Sequence, residues 1–110
     1  MYIPDKGDIV SLNFNPSAGK EIMKRRPAFV ISRKIFNEHT GFAIVAPITS
    51  TIRTMKLEVV LSEKTLVTNG SVLIHQMKSL DFDDRQIEFI EKAPEPIVVK
   101  VTELAKAIIQ

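Results

Sequence analysis

The sequence has no cysteine among its 110 residues and only two histidines, His39 and His75. Without cysteine, no disulfide bond, thiolate nucleophile or thiolate metal site can form. Neither histidine has a second ligand at the spacing of a zinc site. The four glycines are scattered singly, so there is no glycine-rich phosphate loop, and the GxSxG nucleophile motif is also missing. We therefore expect no bound metal and no nucleotide cofactor.

Long apolar runs are absent as well. No run approaches the roughly 20 residues needed to cross a bilayer, and the first ten residues, MYIPDKGDIV, lack the apolar segment of a signal peptide. We expect a cytoplasmic protein with no membrane contact. A hydrophobic content of 45% and a charged content of 25% are typical of a soluble globule. The length predicts a single domain, residues 1–110.

The positive charge is concentrated in the first half of the chain. Residues 1–56 carry nine Lys or Arg and four Asp or Glu, a net +5, whereas residues 57–110 carry six and nine, a net −3. Residues 20–34 alone hold six cations and one acid, Glu21. Such a cluster creates a positive potential suited to phosphate groups, although a solvated surface loop has the same composition.

Alternating and β-branched stretches predict six strands, at 7–14, 27–37, 41–50, 56–62, 71–82 and 85–92. In the first of them Val10, Leu12 and Phe14 share one face. Residues 15–26 contain Asn-Pro, Ser and Gly and predict a long loop, and EHT (38–40) predicts a hairpin turn before Gly41. In a continuous strand 71–82, His75 and Gln76 would point to opposite faces unless a bulge intervenes.

The last segment, 93–110, changes to helical spacing. Ile97, Val101, Leu104 and Ile108 recur on one face, and Pro96 suits the first turn. This face needs a cover, which is either the protein's own sheet or a second subunit. Six short strands and one terminal helix predict a mainly β fold, a strongly bent sheet or partly open barrel closed by the helix.

Polar side chains gather where the predicted strands end. They are Glu21 and Arg26 beside the basic loop, Thr49, Ser50, Thr51 and Arg53 after strand 41–50, and His75, Gln76 and Lys78 within strand 71–82. Taken singly, each has an ordinary structural explanation; a run of Ser and Thr, for example, favours turns.

These blocks together resemble the MazF/PemK toxins, the endoribonuclease members of type II toxin–antitoxin systems. The likeness rests on Gly-Asp-Ile (7–9), Arg-Pro (26–27) before an apolar strand, Pro-Ile-Thr (47–49) and Gln-x-Lys-Ser-Leu-Asp (76–81). The likeness covers nearly the whole chain and is weakest after Asp83. The opening YIPDKGDIV resembles the N-terminus of the MazF branch.

The resemblance implies a fold and a set of partners. The fold is a small SH3-like (CcdB/PemK-type) β-barrel with a C-terminal helix. The implied activity is metal-independent cleavage of single-stranded RNA at short sequences. The implied partners are the RNA substrate, a second copy of the chain in a homodimer, and a cognate acidic antitoxin that holds the toxin inactive.

The resemblance also assigns catalytic roles. The family's loop glutamate falls on Glu21, its arginine before proline on Arg26, and its strand-end threonine on Thr49, with Ser50 beside it. RNA is cut without metal when its own 2′-hydroxyl attacks the phosphate, which leaves a 2′,3′-cyclic phosphate and a 5′-hydroxyl. The reaction needs a base, an acid and donors for the phosphorane charge.

Glu21 suits the base, and Thr49 and Ser50 suit donors to phosphate oxygens. Arg26 suits charge stabilisation better than proton donation, because a guanidinium has a pKa above about 12. Further RNA contacts are expected from neighbouring cationic and polar residues, namely Lys20, Lys24, Arg25, Ser50, Arg53, Gln76 and Lys78.

The chain departs from the family at two places. The usual loop reads Glu-Gln-x-Gly before x-Arg-Pro, and here Ile22 and Lys24 replace the glutamine and the glycine. Many members carry Asp before the strand-five glutamine, and PemK-type members carry Arg two residues earlier; here these positions are His75 and Leu73. The Arg/Asp pair is therefore absent, and His75 is a candidate substitute, because imidazole suits acid–base work.

Two other functions fit the same sequence. CcdB-type toxins share the barrel but poison gyrase by binding it, and a non-catalytic nucleic-acid-binding barrel would also use a basic face. The Arg-Pro and Pro-Ile-Thr blocks favour the ribonucleases. An RNA-cleavage assay separates cutting from gyrase binding, and a deoxy-substituted substrate separates cutting from RNA binding alone.

Overall fold

The computed structural model describes residues 1–51, 57–62 and 64–110. Within these ranges the chain forms seven strands, two α-helices and one 3-10 turn. The strands are β1 (Asp8–Asn13), β2 (Arg25–Val30), β3 (Phe42–Thr49), β4 (Glu58–Leu61), β5 (Gly70–Leu73), β6 (Lys78–Asp81) and β7 (Glu88–Lys92). The helices are α1 (Lys34–Thr40) and α2 (Glu95–Ile109), and the 3-10 turn, Ile74–Gln76, separates β5 from β6.

β3 is the central strand, because three antiparallel strands pair with it. β2 lies along one edge, and the other edge is shared between β6, which pairs with Phe42–Val45, and β5, which pairs with Ile48–Thr49. The sheet runs in the order β4-β5-β3-β2-β1-β7. Two partners along one edge of β3 curl the sheet into a half-barrel, and the predicted mainly β fold with a C-terminal helix is confirmed.

The two faces of the sheet carry separate hydrophobic cores, because successive residues of a strand point to opposite sides. In β1, Ile9 belongs to one core, whereas Val10, Leu12 and the following Phe14 belong to the other. The predicted face of strand 7–14 is therefore confirmed. We name the core that contains Ile9 the helix-side core and the core that contains Phe14 the loop-side core.

α2 covers the helix-side core. Ile97, Val101 and Leu104 pack against it, as the helical spacing predicts, whereas Ile108 is 43% exposed. The protein's own sheet thus buries the apolar face of all but the last turn. Within the described residues, no helix is long and apolar enough to span a membrane.

The predicted hairpin at 27–50 is wrong in its first arm. The strand that begins at Arg25 ends at Val30, and residues 34–40 form α1. The reason is Asn37, a fully buried polar side chain whose Nδ2 donates to the carbonyl oxygens of Pro4 (2.8 Å) and Ser32 (3.2 Å). Gly41 then ends the helix in the left-handed region at φ 75°, donating its N–H to the Asn37 carbonyl at 2.9 Å.

The predicted strand 71–82 is also wrong, because it is interrupted. β5 ends at Leu73, the 3-10 turn follows, and β6 starts at Lys78. The buried Ile74 fixes the break: its N–H donates to the Leu57 carbonyl (3.1 Å), and its carbonyl accepts from the Met77 N–H (3.0 Å). The break accounts for seven strands where six were predicted, and it changes where His75 and Gln76 point.

Candidate active site

The connection between β1 and β2, residues 14–24, carries much of the predicted site and is called the β1–β2 loop. Its base is closed by two hydrogen bonds, from the Phe14 N–H to the Lys24 carbonyl and from the Lys24 N–H to Asn15 Oδ1, each 2.9 Å long. At its tip the Glu21 N–H donates to the Ala18 carbonyl (3.1 Å), and the Ala18 N–H donates to Glu21 Oε1 (2.9 Å). One backbone N–H thus holds the Glu21 carboxylate, and the N–H of Glu21 itself closes the same turn.

A cleft of about 190 Å³ lies between this loop and the 3-10 turn. Its walls combine apolar and ionisable side chains, from Phe14, Glu21, Ile22, His75, Gln76, Met77 and Lys78. A shallower depression, lined by Lys20, Glu21, His75 and Gln76, adjoins it. Five of the residues singled out from sequence are therefore neighbours: Lys20, Glu21, His75, Gln76 and Lys78.

The 3-10 turn places both His75 and Gln76 on the cleft. A continuous strand would have turned them to opposite faces, so the expectation of opposite faces does not hold. His75 is exposed and Gln76 is half-buried. An imidazole and the Glu21 carboxylate thus line the same cleft, which gives it two side chains of the kind that serve as acid or base in catalysis.

Lys78 supplies positive charge beside the carboxylate. Its Nζ lies 3.9 Å from Glu21 Oε1, and both side chains are partly exposed. At this distance and exposure the pair is a weak ion pair that water screens. Lys78 therefore remains available to a phosphate that enters the cleft.

Arg26 and Thr49 lie at the ends of β2 and β3 and do not line the cleft. The β2–β3 ladder ends at the pair Ala28–Pro47, and Arg26 and Thr49 each lie two residues beyond that pair. Arg26 is half-buried, and its Nε donates to the Met23 carbonyl at 3.2 Å. The guanidinium thus touches the end of the β1–β2 loop, two residues after Glu21.

Thr49 is buried, and its hydroxyl accepts the Thr51 N–H at 3.2 Å, while Ser50 is exposed. Gly70 packs directly on this strand end. A Cβ at Gly70 would lie 2.0 Å from the Thr49 carbonyl oxygen, and Gly70 also has φ 120°. Only glycine fits there, so the position of Thr49 depends on Gly70.

Glu91 of β7 anchors the segment that leads into Gly70. Its carboxylate accepts the N–H groups of Val67 (3.0 Å) and Thr68 (2.8 Å). Burial alone would raise the pKa of Glu91, but the Thr68 side chain and these two amides outweigh it and leave the pKa below its ordinary value. The ionised carboxylate thus ties the β4–β5 connection to β7.

The remaining predicted RNA contacts lie elsewhere. Arg25 Nη2 donates to Glu88 Oε1 (2.7 Å) and to the Gln86 carbonyl (2.6 Å), so this guanidinium serves the β1–β7 edge of the sheet. Lys24 is exposed at the base of the loop. Arg53 lies outside the described residues. Within the described ranges, no group of three or more His, Asp or Glu could hold a metal ion.

Comparisons with known proteins show the family of the chain. The family described as PemK-like, MazF-like toxins of type II toxin–antitoxin systems matches residues 5–109. The chain belongs to this family. The endoribonuclease toxin MazF of Escherichia coli K12 is 37% identical over 79 residues, which is 72% of this chain and 69% of that protein. The E. coli endoribonuclease PemK is 30% identical over 100 residues, which is 88% of this chain and 75% of that protein.

Solved structures extend the likeness over the full MazF-like chain. The crystal structure of MazF from Deinococcus radiodurans (form I) matches with a TM-score of 0.93 and 36% identity, covering 99% of this chain and 98% of that one. A MazE-MazF structure from the same organism (form II) matches with a TM-score of 0.87 and 36% identity, covering 99% and 97%. The resemblance to MazF is confirmed, and the relatives named here are endoribonucleases.

The first departure from the family concerns the base of the β1–β2 loop. Lys24, which replaces the usual glycine, has φ 68°, in the left-handed region that glycine occupies without strain. Its backbone N–H and carbonyl close the base of the loop despite the side chain. The base of the loop thus carries a cation, at the expense of local strain.

Sequence reasoning did not single out two kinds of residue in this region. Phe14, Ile22 and Met77 form the apolar wall of the cleft, and the first of these was assigned only to the core. Gly70 was not singled out, because contact with a strand distant in sequence leaves no local signal. Ile22 was noted only as a departure from the family. No local sequence pattern indicates that its N–H bonds to Gln76, which lies 54 positions away.

Proposed function

We propose that this chain is the toxin of a type II toxin–antitoxin system and that it cleaves single-stranded RNA without a metal ion. The observation that carries the proposal is the cleft itself. A carboxylate (Glu21), an imidazole (His75) and an ammonium (Lys78) line one depression beneath a cationic loop. Family membership and the endoribonuclease relatives favour this reading of the cleft over a gyrase-binding surface or a passive RNA-binding surface.

The proposed reaction begins with removal of the proton from a ribose 2′-hydroxyl. Glu21 accepts that proton, and the 2′-oxygen attacks the adjacent phosphorus. The bond from phosphorus to the 5′-oxygen then breaks, and His75 gives a proton to the departing oxygen. The products are a 2′,3′-cyclic phosphate and a 5′-hydroxyl, so proton transfers balance without a metal.

Negative charge grows on the phosphate oxygens as the new bond forms. Arg26 can present a planar set of donors to it, and the Ser50 hydroxyl and Lys78 add further donors. Thr49 is buried, so its role is to hold the strand end from which Ser50 projects. Lys20 and Lys24 attract the RNA backbone in a salt-dependent way.

The proposed partners follow from the relatives. Because MazF of D. radiodurans has been solved with MazE, we propose that an antitoxin binds this chain too, with acidic residues that cover the basic β1–β2 loop. An extended segment of this kind loses conformational entropy on binding, which the charge attraction offsets. We also propose that the chain is a homodimer and acts in the cytoplasm, where its RNA substrates are.

The test uses purified protein and a long RNA whose cut sites are mapped. Wild-type protein should give a limited set of cuts at a recurring short sequence. Arg26→Ala should reduce the cleavage rate by on the order of 10²-fold or more, as removal of one oxyanion donor does. The matched control is Lys34→Ala, since Lys34 is an exposed cation on α1, and it should leave the rate at saturating RNA unchanged. Equal losses in both variants would indicate a generic basic surface and contradict the proposal.

A further inference from the structure

One long-range hydrogen bond joins the β1–β2 loop to the 3-10 turn. The Ile22 N–H donates to Gln76 Oε1 at 2.8 Å, across 54 positions of sequence. Both residues are half-buried and both line the cleft. The bond therefore crosses the cleft region between the residue after Glu21 and the residue after His75.

The other contacts of the loop tip are weaker or more local. Among the described residues, the tip's other polar links are the partly exposed Glu21–Lys78 pair at 3.9 Å and the Arg26–Met23 bond, which spans only three positions, while the Ile22 side chain packs on the loop-side core. The Ala18–Glu21 bonds lie within the tip and do not fix its height above the sheet. The Gln76 bond is thus the well-formed polar link between the loop tip and the 3-10 turn, and it acts together with the packing of Ile22.

We propose that Gln76 is a positioning residue: its side-chain oxygen holds the backbone at residue 22 and thereby keeps the Glu21 carboxylate across the cleft from His75. This inference rests on the proposed ribonuclease function and replaces the expectation that Gln76 contacts RNA. It also explains how the loop tolerates Ile22 in place of the family's glutamine. The bond uses the backbone N–H, which any residue except proline supplies.

Two variants separate this role from an RNA contact. Gln76→Met keeps the length of the side chain but removes the acceptor, whereas Gln76→Glu keeps an acceptor oxygen and removes the amide donor. In single-turnover cleavage at saturating RNA, Gln76→Met should lower the rate constant about fivefold to tenfold, the population change expected from losing one hydrogen bond. Gln76→Glu should retain a larger share of the wild-type rate constant than Gln76→Met, because it keeps the acceptor oxygen, although its added charge raises KM.

A second readout does not depend on activity. Amide hydrogen exchange of Ile22 should be slow in the wild type compared with that of Lys20, whose N–H has no partner among the described contacts. The exchange of Ile22 should accelerate about tenfold in Gln76→Met.

If Gln76→Met does not fold, the wild-type comparison still decides: an Ile22 amide that exchanges as fast as that of Lys20 overturns the proposal. A higher KM in Gln76→Met, with the rate constant and the amide exchange unchanged, also overturns the proposal and assigns Gln76 to RNA binding. If the wild type cuts no RNA while Ile22 is protected, the ribonuclease proposal fails and the loop anchor stands.

Discussion

Replacement of Gly70 by alanine probes the strand end that carries Thr49 and Ser50. The new Cβ would lie 2.0 Å from the Thr49 carbonyl oxygen and 2.8 Å from its carbonyl carbon, far inside contact distance. Alanine would also have to adopt φ 120°, which L-residues rarely do. The obstacle is backbone rather than a flexible side chain, so β3 or β5 has to move.

The two effects can be given magnitudes. Adopting positive φ costs about 1–2 kcal/mol, and forcing atoms into a packed region typically costs about 1–3 kcal/mol. The free energy of unfolding should therefore fall by about 2–5 kcal/mol, a large share of the roughly 5–15 kcal/mol of a small protein. Urea unfolding of both proteins should show the fall as a lower midpoint at an unchanged slope.

Gly19→Ala is the matched control. Gly19 also has positive φ, 58°, but a Cβ there meets no atom within 4 Å. This variant should lose only the backbone term, about 1–2 kcal/mol, and the difference between the two variants measures the clash. Equal losses would refute the argument that Gly70 is required by its contact with Thr49.

Three further predictions concern Lys24, Glu91 and His75. Lys24→Gly should have a free energy of unfolding about 1–2 kcal/mol higher than that of Lys24→Ala in urea unfolding, because glycine relieves the strain at φ 68° that alanine keeps; equal stability of the two variants would argue against strain. Glu91→Gln should be less stable than wild type at neutral pH. Folding lowers the pKa of Glu91, so the ionised carboxylate stabilises the fold at pH values above its ordinary pKa of 4.5. This difference should shrink as pH falls below that value, and a constant gap down to acid pH in urea titrations would contradict the prediction. His75→Ala should reduce the cleavage rate and remove one limb of the pH–rate profile; an unchanged profile with altered cut sites would make His75 an RNA contact instead.

The sequence predicts those parts of the fold that depend on local periodicity. Val10, Leu12 and Phe14 alternate because one face of β1 is buried, and Ile97 and Val101 recur at helical spacing because α2 lies on the sheet. α1 was missed, since its cause is the buried Asn37 side chain and its bonds to Pro4 and Ser32. Such tertiary hydrogen bonds override the β-branched character of the segment.

The candidate site divides in the same way. Resemblance to a family supplies Glu21, Arg26 and Thr49, because those residues stand in short recognisable blocks. The contact between Gly70 and Thr49 and the bond from Ile22 to Gln76 join segments far apart in sequence, and no local pattern encodes them. The 3-10 turn that brings His75 to the cleft depends on the burial of Ile74, which is equally compatible with a strand.

The central claim is that this chain cuts RNA by attack of the substrate's own 2′-hydroxyl, without a metal. The most direct measurement uses an oligonucleotide that is DNA except for one ribonucleotide at a mapped cut site, incubated with purified protein in excess EDTA. The account predicts cleavage at that position alone, with a 2′,3′-cyclic phosphate on one product and a 5′-hydroxyl on the other, and no cleavage of the all-deoxy oligonucleotide. Cleavage of the all-deoxy strand, or loss of activity with EDTA that added metal restores, would contradict the account.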